Sequence, residues 1–256
     1  MLLTALLLAQ ATTLPALPDA EPAGVDPTAT VAAIETAHAA DAYYAKPAIK
    51  ADVLVEFGGE VRHDGPVWFT PPAGQARLES GGKTIVFDGS DVYVSPADAK
   101  AGGERFAALT WPYFLAAPYK LSDGGAVLAD GGARPLDGEP EPAVLMTFEA
   151  GTGDTPDDWY LIWTNEDDTL EALAYIVTYF PGREPVPHVA VYDEYEVVDG
   201  VPMVKQISFY DWNDEDGTNG DKIGQVTVRS LSFEEPPAGA FEAPEDAAVD
   251  ELPTAE

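Results

Sequence analysis

The sequence predicts a mainly β protein with two helical segments. We expect a strongly curved antiparallel sheet, an incomplete β-barrel of about 11–12 strands, with helices on its concave face. Three observations carry this expectation. From Ala48 onward, apolar and polar residues alternate with period two over short stretches. Glycine-bearing turns such as Gly58-Gly59, Gly81-Gly82 and Asp199-Gly200 separate those stretches. Helical spacing of apolar residues occurs near the N-terminus and once in mid-chain.

The first helix starts at Asp26-Pro27, with Asp as N-cap and Pro at the first helical position. Val31, Ile34, Ala37 and His38 follow at helical spacing, so the helix runs over residues 27–40. His38 near its end reads as a capping or packing residue. Strands follow at residues 48–57, 61–70, 76–79, 83–88 and 91–95, joined as a meander. Residues 96–121 break the pattern: Phe106, Leu109, Trp111, Phe114 and Leu115 make a broad apolar helical face. Pro112 should kink or divide that helix. Strands resume at 126–134, 143–149, 159–164, 170–179, 188–197, 201–210 and 223–233. So many successive hairpins must curl.

The ends of the chain read differently. Leu2 to Ala9 is apolar and Ala9-Gln10-Ala11 has small-x-small form, so residues 1–11 are expected to be a signal peptide, although Lys46 is the first basic residue. Residues 12–25 are expected to be a disordered spacer, residues 26–235 the β domain, and residues 236–256 a disordered acidic tail. Periplasmic or secreted localisation follows from the leader.

Composition narrows the function. There is no cysteine, which excludes disulfides, thiolate metal sites and cysteine nucleophiles. Asp and Glu number 45 against 13 Lys and Arg, a net charge of −32, so the surface repels phosphate backbones and nucleic acid is excluded as a partner. No apolar run reaches the ~18–20 residues of a membrane span, so no stable membrane insertion is expected. The acids are spread along the chain. A salt-adapted source and a merely acidic secreted protein both remain open.

Motifs that resemble catalytic ones fail on detail. Gly82-Lys83-Thr84 has Arg77 where a phosphate loop needs glycine, and a strand follows it. Gly151-Thr152-Gly153 has Pro156 at the third glycine position of a dinucleotide fingerprint. Asp88-Gly89-Ser90-Asp91 lacks the second glycine of a nucleophile elbow. His38, His63 and His188 lie far apart, and His63 beside Asp64-Gly65 is expected to be solvated. Asp154, Asp157, Asp158, Glu166, Asp167 and Asp168 bracket one strand and are expected to be hydrated and ionised, whereas acid catalysis on sugars needs a buried carboxyl. No catalytic residue and no cofactor is expected. The loop 211–221 is rich in oxygen ligands, with Asp211, Asn213, Glu215 and Asp216 as candidate calcium ligands. The alternative is a solvated hairpin loop.

The aromatic residues are more telling. Trp111, Phe114 and Tyr119 crowd the mid-chain helix with Lys120 directly after, and Trp159 and Trp163 share a strand face with Tyr160 pointing the other way. Trp111, Phe114, Tyr119, Trp159 and Trp163 are candidate lining for an apolar pocket, with Lys120 at its rim for an anionic head group. The alternative is a plain hydrophobic core.

Trp111-Pro112-Tyr113-Phe114, Pro118-Tyr119-Lys120-Leu121, Asp158-Trp159-Tyr160 and Tyr175-Ile176-Val177-Thr178 together resemble a bacterial group of unknown function related to the periplasmic lipoprotein carrier LolA. The resemblance covers residues 26–233. It implies an incomplete β-barrel with helices as a lid over an apolar cavity, and a lipid, acyl chain or lipoprotein as ligand. No position here matches a functional residue of LolA, so none is carried over. The expectation is a non-enzymatic, monomeric binding or carrier protein. The alternative is an acidic interaction module with a filled core.

Overall fold

A computed structural model describes residues 17–254. Asp26 caps the first helix through its carboxylate, which accepts the Ala29 N–H at 3.1 Å. The helix α1 (Pro27–Ala37) is followed by Ala39, whose φ of 52° turns the chain into the short α2 (Ala40–Tyr44). The predicted single helix over residues 27–40 is therefore two.

Five antiparallel strands follow: β1 (Ile49–Phe57), β2 (Glu60–Phe69), β3 (Ala76–Ser80), β4 (Lys83–Phe87) and β5 (Val92–Ser95). The mid-chain insertion is α3 (Glu104–Ala116), continued by a 3-10 turn over Ala117–Tyr119. The helix runs through Pro112, whose ring is buried, and the break falls instead at Ala116, just before Pro118. Proline removes one backbone bond, and burial of the apolar face on the sheet offsets it. Then come β6 (Ala126–Pro135), β7 (Pro140–Phe148), β8 (Tyr160–Thr164), β9 (Leu170–Tyr175), β10 (His188–Val198), β11 (Val201–Asn213), β12 (Gly217–Phe233) and β13 (Ala248–Val249).

All thirteen strands form one antiparallel sheet in the order β13-β5-β4-β3-β2-β1-β12-β11-β10-β9-β8-β7-β6. The sheet does not close into a barrel. The first twelve strands are those the alternation predicts. The thirteenth corrects the expectation of a disordered tail at 236–256, because Ala248 and Val249 pair with Val94 and Tyr93. Ala97 N–H also donates to the Asp246 carbonyl, and Ser95 Oγ donates to its carboxylate at 2.6 Å.

The other edge is also covered by a chain end. Ala23 and Gly24 donate backbone N–H bonds to the Asp130 carboxylate on β6, and Arg134 Nη2 donates to the Pro18 carbonyl at 2.6 Å. The part of the spacer 12–25 that lies among the described residues is thus held to the sheet. The expected signal peptide at residues 1–11 lies outside them. An edge strand offers unpaired backbone groups, and here residues 248–249 pair with β5 while residues 18–24 bond to side chains of β6.

Period-two alternation sorts the sheet's side chains into two cores. Ile49, Ala51, Val53 and Val55 of β1, with Ile162, Leu173, Ile207, Phe209 and Val226 of other strands, face the helices. Leu161, Trp163, Ala172, Ala174 and Val189 face the opposite side. There the tip of the β11–β12 hairpin folds back towards β6. Trp212 Nε1 donates to the Pro135 carbonyl at 3.0 Å, and Thr218 N–H to the Leu136 carbonyl at 2.7 Å. Gly217 is required at this contact: its φ is 79°, and a Cβ would sit 2.5 Å from the Leu136 carbonyl oxygen.

Candidate functional site: the aromatic face beneath the mid-chain helix

The face that α3 turns to the sheet is aromatic. Trp111 and Phe114 lie one turn apart and pack on Phe209 of β11, with ring centroids 6.5 and 5.3 Å away. Phe114 also meets Tyr175 of β9 at 5.1 Å. Tyr113 reaches Tyr160 of β8 at 5.7 Å. At the far end of the insertion, Tyr119 stacks on Tyr43 of α2 at 3.8 Å, with the planes 8° apart. Trp111, Phe114, Tyr119 and Tyr43 are all at least nine-tenths buried.

No strand pairing holds this cover in place. Its C-terminal end is tied by hydroxyl-to-carbonyl bonds: Tyr192 Oη to the Phe114 carbonyl at 2.9 Å, Tyr119 Oη to the Pro202 carbonyl at 2.5 Å, and Tyr44 Oη to the Tyr119 carbonyl. Its N-terminal end is tied by charge. Glu104, buried, takes Lys83 at 2.8 Å, and Arg105 makes a two-pronged pair with Asp154 at 2.6 and 2.9 Å. Lys83 and the backbone N–H of Ala101 hold the Glu104 carboxyl below the usual range, although burial pushes the other way.

Of the predicted lining residues, Trp111, Phe114 and Tyr119 come together in this cluster. Trp159 and Trp163 do not. They lie on the other face of the sheet and pack on Trp212, with centroids 6.2 Å away in each case. The alternation within β8 separates them from Tyr160, and it is Tyr160 that faces the helix. The strand pattern gives the two faces but not which one is concave. Tyr43, Tyr160, Tyr175, Tyr192 and Phe209 are the inner-face aromatics that the sequence reading did not assign to the site. The alternation through Tyr160 was the available signal. Lys120 is held by the Pro72 carbonyl at 2.8 Å and by Asp123 at 2.5 Å, so its charge is already paired.

In the acidic loop the candidate ligands Asp211, Asn213, Glu215 and Asp216 lie along a closed hairpin. Asn213 Oδ1 accepts the backbone N–H groups of Glu215 and Asp216, which closes the hairpin turn, and Asp211 pairs with His188 Nδ1 at 3.0 Å. Strand register continues through Asp211↔Asn219 to Asn213↔Gly217, so alternate side chains point to opposite faces of the hairpin. Among the described residues no group of three or more His, Asp or Glu is arranged to hold a metal ion.

One carboxylate and one histidine depart from expectation. Asp158 is buried rather than hydrated, and burial raises its pKa to about 6 against the opposing bonds from Thr178 N–H and Oγ1, both at 2.7 Å. His63 is buried too, with Nε2 3.1 Å from the Gly65 carbonyl. His38 is a packing residue as predicted. Its Nε2 accepts the Leu170 N–H at 3.0 Å, and burial lowers its pKa to about 4.

Beneath α3 the aromatic side chains pack against one another. Two open surface grooves, of about 370 and 610 Å³, lie elsewhere: one beside the β3–β4 turn, the other along the alanine face of α1. No residue of the aromatic cluster lines either.

The sequence matches no protein-family model and no curated protein. Its fold is shared with the crystal structure of a DUF1329 family protein from Desulfovibrio piger. That structure is 14% identical, covers 85% of this chain and 98% of its own, and superposes with a TM-score of 0.51. A LolA superfamily protein from Nitrosomonas europaea, 11% identical, covers 85% of this chain and 97% of its own with a TM-score of 0.44. The likeness is one of fold, and it bears out the resemblance expected from the aromatic motifs.

Proposed function

We propose that this chain is a non-enzymatic binding or carrier protein that takes an apolar ligand, a lipid, an acyl chain or a lipoprotein's acyl group, onto the concave face of its sheet. The observation that carries this reading is the construction of the cover. An apolar, aromatic helix crosses the sheet's inner face, and it is fastened by side chains at its two ends rather than by backbone pairing. Moving such an element exposes a continuous apolar surface, which only an apolar occupant would cover again. Export to the periplasm fits the apolar stretch Leu2 to Ala9. The occupant would meet Trp111, Phe114 and Tyr119 of the insertion and Phe209 and Tyr175 of the sheet.

Native mass spectrometry of protein purified from its own host, followed by organic extraction, tests this. A co-purifying mass that extracts as a lipid supports the reading. An apo mass, together with no uptake of a fluorescent fatty-acid probe, would overturn it. That outcome would favour the filled-core interaction module, whose supporting observation is the close packing of the cluster.

A further inference from the structure

The two edges of the sheet are not equally closed. At the β5 edge, Ala248 and Val249 pair with Val94 and Tyr93, and Asp250 N–H donates to the Val92 carbonyl at 2.8 Å. At the β6 edge the N-terminal segment runs in the opposite direction to the strand and leaves it midway. Pro18 is bonded to Arg134, the Glu21 carbonyl oxygen would lie 2.9 Å from a Cβ at Gly132, and Ala23 and Gly24 are bonded to Asp130. The chain then turns into α1 at Pro27, and residues 126–129 lie beyond that point. Glu149 N–H donates to the Gly125 carbonyl at 2.8 Å, and Ala126 stands opposite Phe148. Backbone groups alternate in direction along an antiparallel strand, so Val127 and Ala129 bond to β7 while Ala126 and Leu128 turn theirs outward. Ala126 N–H is taken by the Asp123 carbonyl at 3.0 Å, which leaves the Ala126 carbonyl and both groups of Leu128. Among the described residues no strand pairs with this side of β6. Edges that stay unpaired usually carry a charge, a proline or a bulge. Residues 126–129, Ala-Val-Leu-Ala, carry no charge and no proline, and the register shifts only after Asp130. Val127 is 45% exposed, and Ala129 is exposed on the same face.

We propose that the edge of β6 at residues 126–129 is a docking site for an extended segment of another protein, apolar at its centre and basic at its ends, which adds to the sheet as a further strand. The inference does not depend on the carrier reading. Main-chain pairing to Leu128 supplies the attachment, and Val127 and Ala129 meet the apolar side chains of the incoming strand. Charge sets its ends. Between Leu121 and Thr152 the acids are Asp123, Asp130, Asp137, Glu139, Glu141 and Glu149, and the one base, Arg134, is bonded to Asp214. Glu149 is exposed beside the first residues of β6, and Glu21 and Asp130 flank the other end of the open stretch. The same charges argue against a second copy of this chain. Antiparallel self-pairing about Leu128 sets Ala126 opposite Asp130, so Glu149 of one copy approaches Asp130 and Glu21 of the other, between chains of net charge −32.

The test uses the full chain and a fluorescein-labelled peptide, Lys-Thr-Val-Thr-Val-Thr-Lys with its C-terminus amidated, followed by anisotropy at low salt. Binding is expected to saturate, and to slow amide exchange at Leu128 but not at Val127 or Ala129, whose N–H groups β7 already holds. The same peptide with Glu at both ends should bind about tenfold more weakly. N-methylation of two adjacent central residues, which leaves every side chain in place, should abolish binding. Leu128→Pro removes the outward N–H without touching the β7 ladder and should abolish it too. If that variant does not fold, the N-methylated peptide decides alone. Equal binding of the Lys-ended and Glu-ended peptides, undiminished binding of the N-methylated one, or a Kd weaker than about 1 mM overturns the proposal. So does a concentration-dependent dimer in sedimentation velocity that Leu128→Pro abolishes, which would give the edge to a second copy.

Discussion

The backbone N–H of Arg105 donates to the carboxylate of Asp250 at 2.8 Å, joining the first turn of α3 to a residue 145 positions away. Asp250 is buried, and Lys100 Nζ lies 3.4 Å from its other oxygen. The C-terminal strap therefore places a negative charge at the end of α3 whose N–H groups are unpaired, where helix geometry favours an anion. Gly103, the residue that would otherwise cap α3, has no side chain to do so. Asp250→Ala should lower stability by about 1–2 kcal/mol. It should also speed amide exchange at residues 104–108 more than in the β1–β2 hairpin. Urea denaturation with residue-resolved hydrogen exchange measures both. Unchanged exchange at α3 would mean that the strap does not hold the helix.

Asp158 predicts a pH dependence of opposite sign to that of ordinary carboxylates. Burial lifts its pKa to about 6 in the folded protein, above the ~3.9 of an unfolded Asp. The folded state thus prefers the protonated form. Its contribution is fully present below pH ~4 and is lost as pH rises through about 6. Asp158→Asn keeps an acceptor for Thr178 and removes the charge. It should stabilise the protein by about 1–3 kcal/mol at pH 8 and have little effect at pH 4. Chemical denaturation of the pair at both pH values decides this, and a variant less stable at pH 8 would contradict the assignment.

Much of the fold was legible because alternation and turn chemistry act locally. Asp26-Pro27, the Gly-Gly turns and Asp199-Gly200 each specify their element within a few residues. What was not legible depends on the whole sheet. The direction of curvature decides whether Trp163 or Tyr160 faces the helices, and curvature is a sum over all strands that leaves no mark on β8 itself. The tail is a second case. Ala248-Val249 has no strand pattern, and it pairs only because β5 presents an open edge. The acidic hairpin is a third: Trp212, packed on both Trp159 and Trp163, makes that hairpin a cover for the outer core rather than a free loop.

That placement separates two tryptophans by experiment. Trp163 is 1% exposed on the outer face, away from α3. Trp163→Ala should cost about 3–5 kcal/mol in stability, as for other large-to-small core substitutions. Under conditions where it remains folded, it should bind an acyl probe as wild type does. Trp111→Ala should also destabilise, and should additionally weaken probe binding. Thermal melts paired with a fluorescent fatty-acid titration separate the two effects. Loss of binding on replacing Trp163 alone would return the outer face to consideration as the ligand site.

His38 gives the last prediction. It joins the end of α1 to β9 by accepting the Leu170 N–H at Nε2, and Tyr195 stands over its ring at 4.8 Å. An accepting Nε2 requires the neutral tautomer with the proton on Nδ1, 3.5 Å from the Pro202 carbonyl. Burial lowers the pKa to about 4, against ~6.5 when unfolded. The stability this supplies is present above pH ~6.5 and is lost as pH falls through about 4, because the unfolded chain binds the proton first. Its ring signals in a heteronuclear NMR titration should stay constant between pH 8 and 5. The partly buried His188, lowered by burial but drawn back up by Asp211, should titrate at higher pH than His38. Titration of His38 near pH 6.5 would mean that its ring is not the buried acceptor linking the helical cover to the sheet.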